Sequence, residues 1–124
     1  AVEIGTGSLG HGLGIGVGML MGLRLRNQND PRVFCLLGDA ELDEGSNHEA
    51  IAMAGRMGLE NLTVIVIDNG SASLGWPDGI QTRFENEGWS SAVVDGRDHE
   101  DIKTALTQSH PGMPHVVVAK VEPK

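Results

Sequence analysis

The stretch VFCLLGD, residues 33–39, is a short apolar run that ends on a glycine and an aspartate. A second run, LTVIVIDN, occupies residues 62–69 and also ends on polar residues. Nearly continuous apolar runs of this length are typical of parallel strands covered on both faces. We therefore predict strands at residues 33–37 and 62–67, and further strands at 116–121 and, with a weaker pattern, 91–94.

A glycine-rich helix is predicted ahead of the first strand, over residues 8–26. Gly10, Gly14, Gly18 and Gly22 recur at every fourth position, so they share one face of that helix. Each glycine weakens a helix by roughly 0.5–1 kcal/mol relative to alanine. We therefore expect a neighbouring helix or a ligand to approach this face closely.

Three shorter helices are predicted to alternate with the strands. They are opened by a capping box at Ser46 and Glu49, by Thr82 with Glu85, and by an N-cap at Asp98, and they end near residues 57, 88 and 109. Strands joined by helical crossovers build a parallel sheet with helices on both faces. The sequence thus predicts an α/β fold, a three-layer parallel sheet with helices on both faces, in one domain over residues 1–124.

Composition excludes several classes of protein. Nine Lys and Arg against seventeen Asp and Glu give a net charge of −8, which does not suit a nucleic-acid surface. The apolar stretch at residues 9–23 is shorter than the ~20 residues that cross a bilayer. A single cysteine, Cys35, excludes an internal disulfide and is expected to be a buried core side chain. The cytoplasm is the default compartment for such a chain.

Polar side chains follow the first two predicted strands at their carboxyl ends. Because parallel strands end at one edge of a sheet, Asp39 and Asn69 should lie close together. Carboxylate and amide oxygens suit Mg²⁺, and helix N-termini attract phosphate. The pattern therefore favours a magnesium diphosphate site, although ordinary turn residues would give the same pattern.

Other signals are weaker. GTGSLG, residues 5–10, has the spacing of the dinucleotide fingerprint, but its preceding strand would span only residues 1–4. Local electrostatics near a helix start explain the acidic residues, so we expect Glu41 and Asp43 on a solvated face. His48, His99, His110 and His115 are expected at helix ends, in loops or on the surface, whereas His11 is as well placed to meet a ligand as to pack.

A family resemblance emerges from these motifs together. GDAELDEGSNHEA at residues 38–50, with Asn69 thirty residues after Asp39, resembles the thiamine diphosphate motif of transketolases. GTGSLGHG at residues 5–12 is similar to that family's cofactor-contacting turn. TRFE, DGRD and PHVVVAK further along also resemble transketolase, and the DEGSN wording is most similar to the N-terminal subunit of two-chain transketolases.

The resemblance implies a role for particular residues. Mg²⁺ would be held by Asp39, Asn69 and the backbone carbonyl of Ser71. Thiamine diphosphate would be contacted by Gly7, Ser8, Leu9, Gly38, Asp39, Ala40 and Asn69. Glu44 matches the family's dimer-interface glutamate, which links paired active sites, and is the one candidate catalytic residue. Ala40 replaces the family's usual glycine, which requires a negative φ at that position.

The activity that the resemblance implies is two-carbon ketol transfer between sugar phosphates. The pyrimidine-binding C-terminal subunit of the same enzyme would complete the site, in a homo- or hetero-oligomer. The family's upstream histidine has no match here, so we expect a chain truncated at one or both ends. The resemblance also implies that the chain alone is inactive, because a partner contributes half of the pocket. Two alternatives stay open: a non-catalytic remnant that dimerises through the glycine helix, and a nucleotide-binding regulatory domain.

Overall fold

The computed structural model describes residues 2–123, and in that range it has four strands and four α-helices. In chain order the elements are α1 (Gly12–Leu25), β1 (Val33–Gly38), a 3-10 turn (Ala40–Asp43), α2 (Gly45–Arg56), β2 (Leu62–Asp68), α3 (Ile80–Glu85), β3 (Ser90–Asp95), α4 (His99–Thr107) and β4 (His115–Lys120). The predicted α/β fold class is confirmed. All four predicted strands are present, and none of their ends is shifted by more than one residue.

The strands form one parallel sheet in the order β1-β2-β4-β3. Val33 is level with Leu62, and Thr63 and Ser90 are both level with His115. The carboxyl ends of all four strands therefore lie at the same edge of the sheet. This arrangement places the residues after β1 and β2 side by side.

Helices cover both faces of the sheet. On one face, α1, α2 and α3 enclose a core that includes Leu13, Ile51, Val64, Phe84 and Val118. On the other face, α4 packs over β3 and β4 and buries Val94, Ala105, Val117 and Ala119. The predicted three-layer arrangement is thus confirmed.

The outer half of the α4 face is uncovered within residues 2–123. There, β1 leaves Phe34 53% and Leu36 69% exposed. The guanidinium of Arg32 lies 4.9 Å from the centroid of the Phe34 ring. Since β1 is also an edge strand, this side of the sheet has an open apolar surface at Phe34 and Leu36.

Helix α1 differs from its prediction. It begins at Gly12 rather than at residue 8, and Gly10 precedes it with a φ of +86°. A Cβ built on Gly14 or Gly18 would meet no atom within 4 Å, so no part of residues 2–123 approaches these two glycines, whereas at Gly10 an added Cβ would lie 2.5 Å from Ser46 Oγ; close approach by a ligand or another chain stays a prediction. Within α1 the close contact is at Gly16, where an added Cβ would lie 3.3 Å from Val33 Cγ1.

The predicted helix starts met different outcomes. Asp98 caps α4 as expected, accepting hydrogen bonds from the backbone N–H groups of Glu100 and Asp101 at 2.9 and 3.1 Å. The capping box at Ser46 is wrong, because that hydroxyl donates to the Gly10 carbonyl at 2.8 Å and α2 starts from Glu44 without a side-chain cap. Helix α3 starts two residues before Thr82.

Candidate functional site

Asp39 lies directly after β1, and its backbone N–H continues the sheet pairing by donating to Ile67 O at 3.0 Å. Its side chain is only 2% exposed. Oδ2 accepts from the backbone N–H groups of Ser71 and Ala72 at 2.7 and 3.0 Å, and Oδ1 accepts from the Ser71 hydroxyl at 3.0 Å. Burial alone would raise the pKa of Asp39, but these hydrogen bonds outweigh it and hold that pKa below its usual value.

Asn69 converges on the same point from the end of β2. Its Oδ1 is within hydrogen-bonding distance of the Ser71 hydroxyl, which also contacts Asp39 Oδ1. The two predicted side-chain ligands therefore present oxygens around one polar position, and Ser71, the proposed source of the third ligand, is in direct contact with both. An ionised carboxylate with an amide oxygen is the kind of donor set that Mg²⁺ accepts.

One carboxylate at this point is enough for a particular kind of metal site. Among residues 2–123, no group of three or more His, Cys, Asp or Glu side chains is placed to hold a metal ion. Magnesium is often bound through one or two carboxylates together with phosphate oxygens. The Asp39–Asn69 arrangement thus fits a magnesium ion that is shared with a diphosphate.

A turn at residues 6–10, which lies within the predicted cofactor-contacting run 5–12, is held beside this edge. Gly10 donates its N–H to Glu41 Oε1 at 3.1 Å, and its carbonyl accepts from Ser46 Oγ at 2.8 Å. Thr6 closes the turn, because its hydroxyl donates to the Ser8 carbonyl at 3.0 Å and accepts the Ser8 N–H at 3.2 Å. Gly7, Ser8 and Leu9 are exposed, so the backbone of this turn is accessible to a ligand.

The remaining predicted contacts are open to the same space. Gly38 has no atom within 4 Å of an added Cβ. Ala40 is not one of the residues with positive φ, so the condition for replacing a glycine there is met. Glu44 is exposed at the start of α2, close to Gly10. His11 is exposed, with its Nδ1 3.3 Å from the Ser8 carbonyl oxygen.

The predicted position of two acidic residues is wrong. Glu41 and Asp43 are half-buried rather than on a solvated face, and each binds backbone from a distant segment: Glu41 binds Gly10, and Asp43 Oδ2 accepts from Ser73 N–H at 2.8 Å. Their partners are 31 and 30 residues away, so no local pattern signals these bonds.

Two histidines were also misplaced. His48 is half-buried, donates Nε2–H to the Leu42 carbonyl at 2.8 Å and lies 5.9 Å from the Trp76 ring. His115 is fully buried in β4, where Nε2–H donates to Ala105 O at 3.1 Å. The sequence feature that indicates burial of His115 is its position immediately before an unbroken apolar run. Cys35 is buried as predicted, and burial with the charge of Glu41 raises its thiol pKa to about 11.

The fingerprint reading loses its structural context. No strand precedes residues 5–10 within the part of the chain that the structure describes, and a dinucleotide fingerprint needs one; Ala1 lies outside that part. Two cavities, of about 210 and 280 Å³, lie at the opposite edge of the sheet near Glu60 and Asn61. They are not part of the candidate site.

In residues 2–123, no helix has the length and apolarity needed to cross a membrane.

Comparison with known proteins gives a consistent family match. A family model described as the thiamine diphosphate binding domain of transketolase matches residues 1–121. Ferredoxin fas2 of Rhodococcoides fascians is 58% identical over 120 residues, which are 97% of this chain and 40% of that protein. Human transketolase is 38% identical over 127 residues, covering 95% of this chain and 20% of the human protein.

Solved structures agree with the sequence matches. A transketolase from Campylobacter jejuni superposes with a TM-score of 0.85 at 33% identity, over 96% of this chain and 21% of that one. A Pichia stipitis transketolase crystallised with a sedoheptulose phosphate superposes with a TM-score of 0.86 at 26% identity. The chain thus spans between 20% and 40% of the length of these relatives.

Proposed function

This chain belongs to the transketolase family, in which it corresponds to the thiamine diphosphate-binding domain, and on that premise we propose that it is the diphosphate-binding half of a transketolase-like enzyme. It would bind Mg²⁺ and thiamine diphosphate for two-carbon ketol transfer between sugar phosphates. A pyrimidine-binding subunit or domain would supply the other half of the site. The cytoplasm remains the predicted compartment.

The observation that carries this proposal is the convergence of Asp39 and Asn69 on Ser71. Family membership alone does not require the ligands to be intact, since a decayed domain keeps its fold. Here hydrogen bonds hold the pKa of Asp39 below its usual value, and Asp39 Oδ1 and Asn69 Oδ1 both contact the Ser71 hydroxyl at the carboxyl edge of the sheet. The carbonyl of Ser71 would complete the protein's share of the metal ligands.

The diphosphate would lie between this edge and the turn at residues 6–10. Exposed backbone at Gly7 and Leu9 offers N–H groups, whereas the Ser8 N–H already donates to the Thr6 hydroxyl. The space beside Gly38 leaves room for phosphate oxygens. The metal would offset the repulsion between the diphosphate and the Asp39 carboxylate. Binding and orientation are therefore the work that this chain's own residues perform.

The reaction chemistry would come from the cofactor and from the second half of the site. Thiamine diphosphate, when bound, supplies the electron sink for carbanion formation. Glu44 stands exposed next to Gly10, where a partner domain can reach it. We propose that Glu44 lies at the interface with that partner, and that the chain alone has no transferase activity.

The test pairs two asparagine variants in the presence of the copurifying pyrimidine-binding partner. Asn69→Ala removes a proposed metal ligand, whereas Asn86→Ala changes an exposed asparagine at the end of α3. Calorimetry with thiamine diphosphate and Mg²⁺ should show binding by the wild type and by Asn86→Ala, and strongly weakened binding by Asn69→Ala. Equal binding by all three proteins would remove Asn69 from the metal site.

A second candidate function is supported by helix α1. Its outer face combines open glycines with Ile15 and Met19, which are 38% and 41% exposed. This face suits association between chains without any cofactor. A chain that self-associates in sedimentation experiments and binds no thiamine diphosphate with its partner would be a non-catalytic remnant.

A further inference from the structure

The 3-10 turn Ala40–Asp43 is a rigid platform between β1 and α2. Its carbonyl groups are bound from α2: the amide of Asn47, which is fully buried, donates to Glu41 O at 2.7 Å, and His48 Nε2–H donates to Leu42 O at 2.8 Å. Leu42 is buried in the core beneath the turn. Side chains projecting from this turn therefore have fixed starting points.

One of those side chains, Asp43, holds the loop that follows Asn69. Its Oδ2 accepts from Ser73 N–H at 2.8 Å, while its Oδ1 is buried and has no hydrogen-bond partner within residues 2–123. Together with Asp39, it binds three consecutive backbone N–H groups, those of residues 71–73. Asp39 is also a proposed metal ligand, whereas Asp43 is not, and its hydrogen bond goes to the loop.

The other side chain, Glu41, holds the turn at residues 6–10. Its Oε1 accepts the Gly10 N–H, and Ser46 fixes the Gly10 carbonyl from the opposite side. Gly10 is buried with a φ of +86°, and an added Cβ would lie 2.5 Å from Ser46 Oγ. The turn is therefore held at the backbone of Gly10, and Glu41 accepts one of the two hydrogen bonds that hold it.

We propose that Glu41 and Asp43 are positioning residues. They would hold the loop at residues 71–73, beside the proposed metal ligands, and the turn at residues 6–10, beside the proposed diphosphate position, at a fixed separation. This role rests on the proposed function, because it gives the two loops a common ligand. Carboxylates suit the task since a hydrogen bond to an ionised acceptor is stronger than one to a neutral acceptor. Neither side chain would touch the metal or the cofactor.

The experiment uses three carboxylate side chains of the same chain, each of which accepts a hydrogen bond from one backbone N–H group. Glu41→Ala and Asp43→Ala remove the acceptors for Gly10 and Ser73, and Glu60→Ala is the matched control, because Glu60 accepts the Gly112 N–H at 2.8 Å at the opposite edge of the sheet. Amide hydrogen exchange is measured without cofactor. The dissociation constant for thiamine diphosphate with Mg²⁺ is then measured with the pyrimidine-binding partner present.

Each variant should accelerate exchange at its own amide by about tenfold or more. Glu41→Ala and Asp43→Ala should also raise the dissociation constant for thiamine diphosphate by about tenfold, whereas Glu60→Ala should leave it unchanged. Glu41→Gln and Asp43→Asn keep an acceptor of similar shape, so they should restore part of both losses. They also replace the alanine variants if those fail to fold.

Two results would overturn the proposal. The first is wild-type exchange at Gly10 and Ser73 in their respective variants, and the second is an unchanged dissociation constant despite faster exchange. Absence of thiamine diphosphate binding by the wild type with its partner would instead overturn the proposed function. In that case the exchange rates alone decide whether the turn holds both loops.

Discussion

Two glycine-to-alanine substitutions should change stability in opposite directions. In α2, a Cβ on Gly55 would lie 1.8 Å from the carbonyl oxygen of Glu87 and 3.3 Å from Trp89 Cδ1. In α1, a Cβ on Gly18 would meet no atom within 4 Å. Both residues are helical, so alanine gains helix propensity at both sites and only the surroundings differ.

The size of the effect follows from these distances. To restore ordinary contact, α2 and the backbone at Glu87 must separate by about 1.5 Å. Trp89 resists that movement, because its Nε1–H donates to Ile51 O at 2.9 Å and its ring packs against Phe84. Because the clash is with backbone, the cost lies at the upper end of the overpacking range, about 3 kcal/mol, and the gain in helix propensity offsets about 1 kcal/mol of it. We expect Gly55→Ala to lower the free energy of unfolding by about 2 kcal/mol and Gly18→Ala to raise it by about 0.5–1 kcal/mol.

Urea unfolding followed by tryptophan fluorescence measures both values on the chain alone. In thermal unfolding of the same proteins, the midpoint temperature should fall by about 8 °C in Gly55→Ala and rise by about 2–4 °C in Gly18→Ala. A Gly55→Ala protein as stable as the wild type would show that α2 and the segment before β3 are not in contact as described. A Gly18→Ala protein that is less stable would show that the outer face of α1 is packed in solution.

Three further predictions concern single side chains. Asp98→Ala should lower the free energy of unfolding by about 1 kcal/mol through loss of the α4 cap, whereas Asp98→Asn should keep most of it; equal stability of all three proteins in urea would contradict the cap. Burial and the neighbouring His110 hold the pKa of His115 below its ordinary 6.5, so the unfolded chain binds more protons and stability should fall as the pH drops below about 6.5. Between pH 7.5 and 5.5, the free energy of unfolding should therefore fall less in His115→Gln than in the wild type. An equal fall in both proteins would refute the assignment. Because the pKa of Cys35 is about 11, its thiol should react with iodoacetamide at pH 8 only after unfolding in urea, and rapid labelling of the folded chain would show that the strand is open.

The sheet and the proximity of Asp39 and Asn69 could be predicted from the sequence for one physical reason. A strand covered on both faces needs an unbroken apolar run, and β1 and β2 consist of such runs. Parallel pairing then fixes the relative position of whatever follows them, which brings Asp39 and Asn69 together without any knowledge of loop structure. The contacts of Asp39 with Ser71 depend on loop geometry, and the sequence does not encode that in a readable pattern.

Glu41, Asp43 and His115 show why the rest could not be predicted. Acidic residues near a helix start are already explained by local electrostatics, so their tertiary role leaves no additional signal. A polar residue before an apolar run is ordinarily assigned to the preceding loop, yet His115 is buried because the carbonyl of Ala105 in α4 accepts its N–H. Such partners are created by the fold itself.

The central claim is that Asp39 and Asn69 hold a magnesium ion for thiamine diphosphate. Isothermal titration of the wild-type chain with its pyrimidine-binding partner tests it most directly, using thiamine diphosphate and thiamine, each with Mg²⁺ and with EDTA. We predict that only thiamine diphosphate with Mg²⁺ binds, and that Asp39→Asn abolishes that binding. Binding that is equally strong in EDTA, or no binding by a partner-containing complex, would contradict the claim.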